Sequence, residues 1–497
     1  MLFSFPIKRG LLNMDNNGKT ENLSIIVVGA SGDLAIKKIF PAMFSLYCQG
    51  FLPPGFRVFG FARSILSHEE FRKRISEHLT CRYTSTESCS MEISEFLSRC
   101  YYMSGKYDSR ESFLDLYELM RSQEPSRDTN RIYYLAVPPS VFLDTAKALA
   151  GAGLVICDPS QSWSRVVIEK PFGKDRQSSD ILTRELSKVF SEEQTFRIDH
   201  YLGKEVTQNL MVLRFANLVF EPLWNRNFIE SVHITWKEDI GVENRAGYFD
   251  EYGIIRDVIQ NHLVQILTLV AMEKPRSIHA THIRDEKVKV LRSISAIDMK
   301  SIILGQYIAG ETNTIHHAGY LEEKSIPADS TTPTFATTVL RINNDRWRGV
   351  PFIISAGKGL DSRTNEVRIQ FRSIPDNIFC DNPECLPTND LNIRIQPDES
   401  IFLNIVNKEP GMQLSLVETS LNLRYQSAFS TKIPEAYERL ILDVITGDKG
   451  LFIRSDELAA AWDIFTPVLH EIDRLKIKPE PYSFGSAGPS SAMKLLK

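Results

Sequence analysis

Leu23–Val28 (LSIIVV) is an unbroken apolar run, rich in β-branched residues, that stops at Gly29. Such a run reads as a parallel strand buried on both faces. After Gly29-Ala30-Ser31-Gly32-Asp33-Leu34 the apolar positions take up helical spacing to Leu46, and a second strand pattern follows at Arg57–Ala62 (RVFGFA). Strand, glycine turn, helix and strand over about 30 residues predict a βαβ unit. Arg131–Val137 and Arg165–Ile168 repeat the strand signal with helical patterns between them. To roughly residue 200 the pattern is therefore α/β with a parallel sheet.

Beyond Glu205 the rhythm changes. Ile255, Val258, Ile259, His262 and Ile266 share one helical face, and Leu263–Val270 is apolar almost all round, which predicts a buried helix. Thr338–Ile342, Pro351–Ile354, Val367–Phe371 and Leu391–Gln396 alternate like strands, separated by turns such as Asn343-Asn344-Asp345. That pattern predicts an antiparallel sheet. The expected organisation is a poorly ordered leader over 1–22, an α/β domain over 23–205, an α+β domain over 206–480 and a loosely attached tail over 481–497.

Composition narrows the function classes. The chain has 497 residues, 43% hydrophobic and 24% charged, with a net charge of −4. It is an ordinary globular chain, and its charge gives neither a basic nucleic-acid footprint nor a reason to bind anionic membrane. Nothing approaches the roughly 18 uninterrupted apolar residues of a membrane span. The seven cysteines are scattered and form no CxxC, so they make no disulfide framework. Met1–Ser24 has too short an apolar start for a secretory signal and too many acids for a typical transit peptide.

Gly29-x-x-Gly32 between a strand and a helix suits a phosphate cradle, because the backbone can approach a pyrophosphate and the helix N-terminus offers N–H groups. It lacks the full GxGxxG fingerprint, so a plain strand-to-helix turn is the alternative. At the end of the second strand, where NAD-selective folds place an acid, stands Arg63. A cation there suits the 2′-phosphate of NADP; a solvated surface arginine is the plain reading. Lys170, in Glu169-Lys170-Pro171-Phe172-Gly173, closes a buried strand at the edge where open α/β sheets bind ligands. Pairing with Glu169 is its plainer role.

Arg197-Ile198-Asp199-His200-Tyr201-Leu202-Gly203-Lys204-Glu205 is the densest polar cluster. A helix starting near Asp199 would put His200 and Lys204 on one face. With Tyr201 they supply donors suited to a phosphate dianion. His262, on the apolar face of the buried helix, is either a satisfied core residue or a general base. Asp257 lies five residues earlier, ~140° around an α-helix, so the partner carboxylate must come from elsewhere, and Asp199 is a candidate. No metal is expected, since the ten histidines are dispersed, and HExxH, a GxxxxGK[ST] loop and GxSxG are all absent.

From about Leu23 to Pro489 the chain resembles the glucose-6-phosphate dehydrogenase family. The resemblance rests on GASGDLAIKK (29–38), GFARS (60–64), EKPFG (169–173), RIDHYLGKE (197–205), GYFDEYGIIRD (247–257), QNHL (260–263), RDEKVKVL (284–291), RWRGVPF (346–352) and PEAYERLILD (434–443). It implies a Rossmann-type NADP-binding domain followed by a substrate-binding and dimerisation domain, and oxidation of glucose 6-phosphate at C1 with hydride transfer to NADP. His262 then matches the general base and Asp199 the carboxylate that orients it. His200, Tyr201 and Lys204 match the sugar-phosphate site, while Lys170, Glu238, Asp257, Lys358 and Arg363 match positions that hold substrate. Gly29, Ala30, Ser31, Gly32, Asp33, Leu34, Arg63 and Lys170 match the cofactor site.

The departures are local. Where the family usually reads GTEGRGGYFD, this chain has Gly241-Val242-Glu243-Asn244-Arg245-Ala246-Gly247-Tyr248-Phe249-Asp250, and Ala246 would be strained if its position needs positive φ. Gly359 replaces a usual Ala after Lys358 and is expected to loosen that loop. Cys81 and Cys89 resemble the regulatory pair of plant plastid forms, which implies a thioredoxin partner and the chloroplast stroma, with the cytosol as the alternative. A homodimer or homotetramer is implied by the same likeness. Two other functions stay open: an NAD(P) oxidoreductase of unphosphorylated sugars, which would have no need of RIDHYLGKE, and a catalytically weak or inactive partner subunit of an active homologue.

Overall fold

The computed structural model describes residues 22–126, 128–155, 162–312, 314–379 and 386–496. The leader expected over 1–22 lies outside them apart from Asn22, as do Cys157, Cys380 and Cys385.

The described residues form two compact units. The first is built on six parallel strands, β1 (Asn22–Val28), β2 (Arg57–Ala62), β3 (Cys100–Ser104), β4 (Thr129–Leu135), β5 (Ser164–Glu169) and β6 (Thr195–Ile198). Their order in the sheet is β6-β5-β4-β1-β2-β3. Every residue of β4 and all but the first of β1 are buried, which is why these strands read as unbroken apolar runs. The strand order reverses between β1 and β4, and open α/β sheets bind ligands in the crevice at that point.

This unit also takes back a late piece of chain. Phe452–Ile453 pairs antiparallel with β6, and helix Ala436–Thr446 buries Leu440, Ile441, Val444 and Ile445 in the same core. Arg165 Nη1 donates to the carbonyls of Val444 at 2.6 Å and Ile445 at 2.7 Å. Tyr437–Ile453 therefore packs with the first unit, although it falls inside the 206–480 span expected to form the second. Cys81 and Cys89 are joined in a disulfide, their Cα atoms 5.8 Å apart. Within that loop Arg82 Nη1 and the Tyr83 hydroxyl donate to buried Glu438, at 3.0 and 2.9 Å.

The second unit holds a nine-stranded sheet among the described residues. Its strands are β7 (Ile229–Lys237), β8 (Ile302–Ile308), β9 (Phe335–Arg341), β10 (Pro351–Gly357), β11 (Thr364–Phe371), β12 (Asp390–Gln396), β13 (Ser400–Lys408), β14 (Leu416–Arg424) and β15 (Glu480–Ser483). The order is β14-β13-β12-β11-β7-β10-β9-β8-β15, antiparallel except at β7–β10 and β8–β15. Parallel β7 and β10 bring Glu238 and Lys358, one residue past their ends, to the same edge. Segment Ile255–Leu263, continued by helix Val264–Ala271, packs against both strands. Beside it, Lys287 and Glu457 form a fully buried ion pair at 2.7 Å between helices Ala280–Ser293 and Ser455–Leu475.

The tail is not loose. β15 adds to the sheet edge, Tyr482 and Phe484 alternate into the core at 4% and 6% exposure, and Glu480 accepts the Ser490 hydroxyl at 2.9 Å. Its turn residues suggested a free end, but the period-two pair of aromatics supplies burial enough to dock it. No helix among the described residues is long and apolar enough to cross a membrane.

Candidate active site

In the first unit the turn after β1 sits at the reversal point. Gly29 has φ +91°, and a Cβ there would lie 2.2 Å from the Ala136 carbonyl oxygen just past β4. Only glycine fits, and the backbone is left bare where a diphosphate would approach. Gly29 N–H donates to Phe61 O at 2.8 Å, pinning the turn to β2, and Ile36 N–H donates to Gly32 O at 3.0 Å as the helix begins. Ser31, at the turn, shares a 3.0 Å hydrogen bond with Ser64 at the end of β2. Arg63, exposed, lies over the Tyr107 ring at 5.3 Å. Serine hydroxyls and a guanidinium at this edge fit a 2′-phosphate, so the residues present suit NADP. Lys170 follows β5 at the same edge; Glu169 beside it accepts the Tyr134 hydroxyl at 2.5 Å.

In the second unit the chain leaves β6 and turns sharply instead of starting a helix at Asp199. Leu202, Gly203 and Lys204 N–H donate to Asp199, His200 and Tyr201 carbonyls, and the helix begins only at Glu205, with Lys204 extended at its N-cap. The expected one-face pairing of His200 with Lys204 is therefore replaced by a coil of tight turns. The cause is Asp199: its Oδ1 accepts Tyr201 N–H at 3.0 Å, a local bond that competes with helix formation. His262 Nδ1 donates to the same oxygen at 2.5 Å.

Burial opposes ionisation of Asp199, but the charge and N–H of His262, with His200 and the Tyr201 N–H, outweigh it and hold the carboxyl at about 2. It is an acceptor, so the pair fixes which imidazole nitrogen carries the proton and leaves Nε2 as the basic one. The Tyr201 ring stacks on His262 with centroids 4.4 Å apart, and His200 meets His262 edge-on at 4.8 Å. Among the described residues, Asp199, His200 and His262 are also the group whose ligand atoms lie close enough, within 4.8 Å, to surround an ion. Asp199 Oδ1 is taken by His262 and Tyr201, while Oδ2 is buried with no hydrogen-bond partner among the described residues.

His262 does not lie on an α-helix. Ile255–Leu263 winds as a π-helix, and Val264 N–H reaches the Ile259 carbonyl five residues back. That winding takes more residues per turn than an α-helix, so Asp257 and His262 fall closer to one side than the ~140° of an α-helix. Asp257 is buried. The α-helical spacing expected here does not hold, yet the carboxylate bonded to His262 is Asp199, as expected.

The strand ends complete the site. Lys358 Nζ donates to Glu238 Oε2 at 2.5 Å. Gly359 takes φ +60° against the Phe484 ring. Backbone N–H groups of Lys358, Gly359 and Leu360 donate to Thr334, Ile240 and Glu238 at 3.0, 2.9 and 2.8 Å, so the loop expected to be loosened is held on three sides. Ala246 is right-handed helical (φ −51°) and carries no strain; the positive φ falls at Glu243 instead. Arg363, exposed ahead of β11, is near enough to Tyr201 for its charge to act on the phenol. Three further residues went unnoticed in the sequence: Trp236, Asn365 and Gln396 stand in one row across β7, β11 and β12 and surround the Tyr201 hydroxyl.

The profile of the glucose-6-phosphate dehydrogenase NAD binding domain matches residues 26–209, and that of the C-terminal domain of the same enzyme matches residues 211–497. The chain belongs to the glucose-6-phosphate dehydrogenase family. It is 49% identical over 488 residues to chloroplastic glucose-6-phosphate 1-dehydrogenase of Nicotiana tabacum, covering 98% of this chain and 82% of that one. It is also 49% identical to cytoplasmic glucose-6-phosphate 1-dehydrogenase 5 of Arabidopsis thaliana, covering 96% and 92%. A solved glucose-6-phosphate dehydrogenase in complex with glucose 6-phosphate superposes with a TM-score of 0.89 at 41% identity, over 96% of this chain and 97% of that one. The activity is that of the family: D-glucose 6-phosphate is oxidised at C1 to 6-phospho-D-glucono-1,5-lactone, with NADP as the oxidant. Neither Ala246 nor Gly359 gives the inactive-partner alternative any structural footing.

Proposed function

We propose that His262 is the general base of this dehydrogenase, and that its 2.5 Å pairing with Asp199 carries the assignment. Nε2, opposite the paired nitrogen, takes the proton from the C1 hydroxyl. The imidazolium so formed is stabilised by a carboxylate that stays ionised, held down at about 2. Lys204, His200 and Tyr201 bind the sugar phosphate, and Lys358, Glu238, Asp257 and Arg363 hold the ring. Binding energy from the remote phosphate then fixes C1 for reaction. Gly29 to Leu34, Arg63 and Lys170 hold NADP, which when bound supplies the hydride acceptor.

Three finer readings follow from the same residues. The Cys81–Cys89 disulfide supports a thioredoxin-reducible switch of the plastid type, and the chloroplastic relatives support the stroma as compartment. The broad sheet of the second unit, whose β14 is largely exposed, supports assembly into a homodimer or homotetramer. The test is absorbance at 340 nm with purified protein, glucose 6-phosphate and NADP, first oxidised and then reduced with dithiothreitol. Activity that falls on reduction is expected. Activity indifferent to reduction would remove the switch and leave the enzyme; none in either state would remove the catalytic assignment.

A further inference from the structure

The Tyr201 hydroxyl lies on a polar relay within the second unit that runs through residues with no catalytic role so far. Asn365 faces Trp236 on one neighbouring strand and Gln396 on the other. Lys204 Nζ donates to Gln396 Oε1 at 2.5 Å. An ammonium only donates, so Gln396 must turn its amide nitrogen the other way, toward Asn365. Asn365 in turn presents Oδ1, which accepts Gln396 Nε2 at 2.6 Å and the Tyr201 hydroxyl at 2.8 Å, while its Nδ2 donates to Thr364 O at 2.9 Å. Trp236 Nε1, a donor and nothing else, completes the set by donating to the Tyr201 oxygen at 2.5 Å. Tyr201, Trp236 and Asn365 are 4%, 5% and 2% exposed, so none of these groups can fall back on bulk water.

From this geometry we infer that Trp236 and Asn365 are positioning residues that fix Tyr201 as a hydrogen-bond donor to the substrate phosphate. The inference rests on the phosphate-site reading of Tyr201 and Lys204. In the site as it stands, the two amide oxygens receive the protons of Lys204 and Tyr201 and keep both donors together. A phosphate dianion takes over those two hydrogen bonds. Asn365 stays as it is, locked between Gln396 Nε2 and the Thr364 carbonyl, so its Oδ1 keeps marking the place of the Tyr201 hydroxyl. With Trp236 donating to the phenol oxygen and Asn365 holding the hydroxyl in place, the phenol proton is poised to turn to the phosphate, a stronger acceptor than a neutral amide. Because Tyr201 also gives its N–H to Asp199 and its ring to His262, the row that orients its hydroxyl also steadies the base.

The test is discrimination between glucose 6-phosphate and unphosphorylated glucose, taken as the ratio of kcat/KM values in the full-length enzyme. Tyr201→Phe should lower that ratio, and Asn365→Ala and Trp236→Phe should each lower it about five- to tenfold, the effect of one hydrogen bond. In the Tyr201→Phe background neither should lower it much further. Parallel losses with both sugars, or losses that add fully to Tyr201→Phe, would overturn the inference. If Asn365→Ala does not fold, Trp236→Phe, which keeps an aromatic ring in place, decides alone. A Tyr201→Phe enzyme with unchanged discrimination would instead remove the phosphate reading on which the inference stands.

Discussion

Asp199 and His262 lie 63 residues apart in sequence and share a 2.5 Å hydrogen bond between buried side chains. Asp199 is placed by the tight turn after β6 and His262 by a π-helix packed on β7 and β10, so two rigid supports define one contact. The contact leaves Nε2 as the basic nitrogen of His262.

Replacing His262 by Asn should therefore lower kcat on the order of a thousandfold or more, with KM for glucose 6-phosphate within a few-fold, because the lost interaction exists only in the transition state. Asp199→Asn should lower kcat on the order of a hundredfold or more while the fold stays intact, since it removes both the tautomer control and the stabilising charge. Steady-state kinetics on both variants check this. Near-normal turnover of His262→Asn would mean that another group takes the proton.

Arg63 is exposed beside Ser64 at the end of β2, with the Tyr107 ring beneath it. Arg63→Ala should raise KM for NADP by about tenfold or more and leave KM for NAD within about twofold, the expected cost of a charge-assisted contact to a phosphate. An equal rise for both cofactors would show that the guanidinium does not read the 2′-phosphate.

Much of this site was legible in the sequence because it rests on local signals. Glycines at 29 and 32, the basic end of β2 and the polar 197–205 run each stand out against apolar neighbours. What stayed hidden depended on period and on partners distant in sequence. Asp257 was set apart from His262 by an α-helical count that the π-winding voids. The tail looked free because its aromatics find their partners on β8, more than a hundred residues away. Asn365 did leave a trace: it occupies the inward phase of β11 with Val367 and Ile369, where a polar residue has no business unless it is bonded. Tyr437–Ile453 gave no sign that it returns to the first unit, because an amphipathic helix names its buried face and not its partner.

Cys81 and Cys89 close a loop whose Arg82 and Tyr83 hold Glu438, a carboxylate 3% exposed. Reduction should free that loop and loosen the grip on a buried charge, which would link the thiol state to the helix carrying Glu438. Cys81→Ser should abolish any change of activity on dithiol treatment and should behave like the reduced wild type. A response that survives in the variant would place the switch at another thiol, such as Cys48.

His233, in the middle of β7, gives a pH dependence of stability separate from catalysis. Burial, reinforced by the Arg368 charge on the neighbouring strand, lowers its pKa from the usual 6.5 to about 4. Its Nε2 shares a 3.0 Å hydrogen bond with the Ser231 hydroxyl. Between pH 6.5 and 4 the unfolded chain binds a proton here that the folded chain refuses, so lowering the pH through that window favours unfolding. The contribution lost between pH 7 and pH 5 is about 2 kcal/mol. Urea denaturation at the two pH values should therefore show His233→Gln losing about 2 kcal/mol less than the wild type on acidification, whatever the variant costs at pH 7. Equal losses in the two proteins would mean that His233 takes up its proton without unfolding, and that the strand interior is wetter than its burial implies.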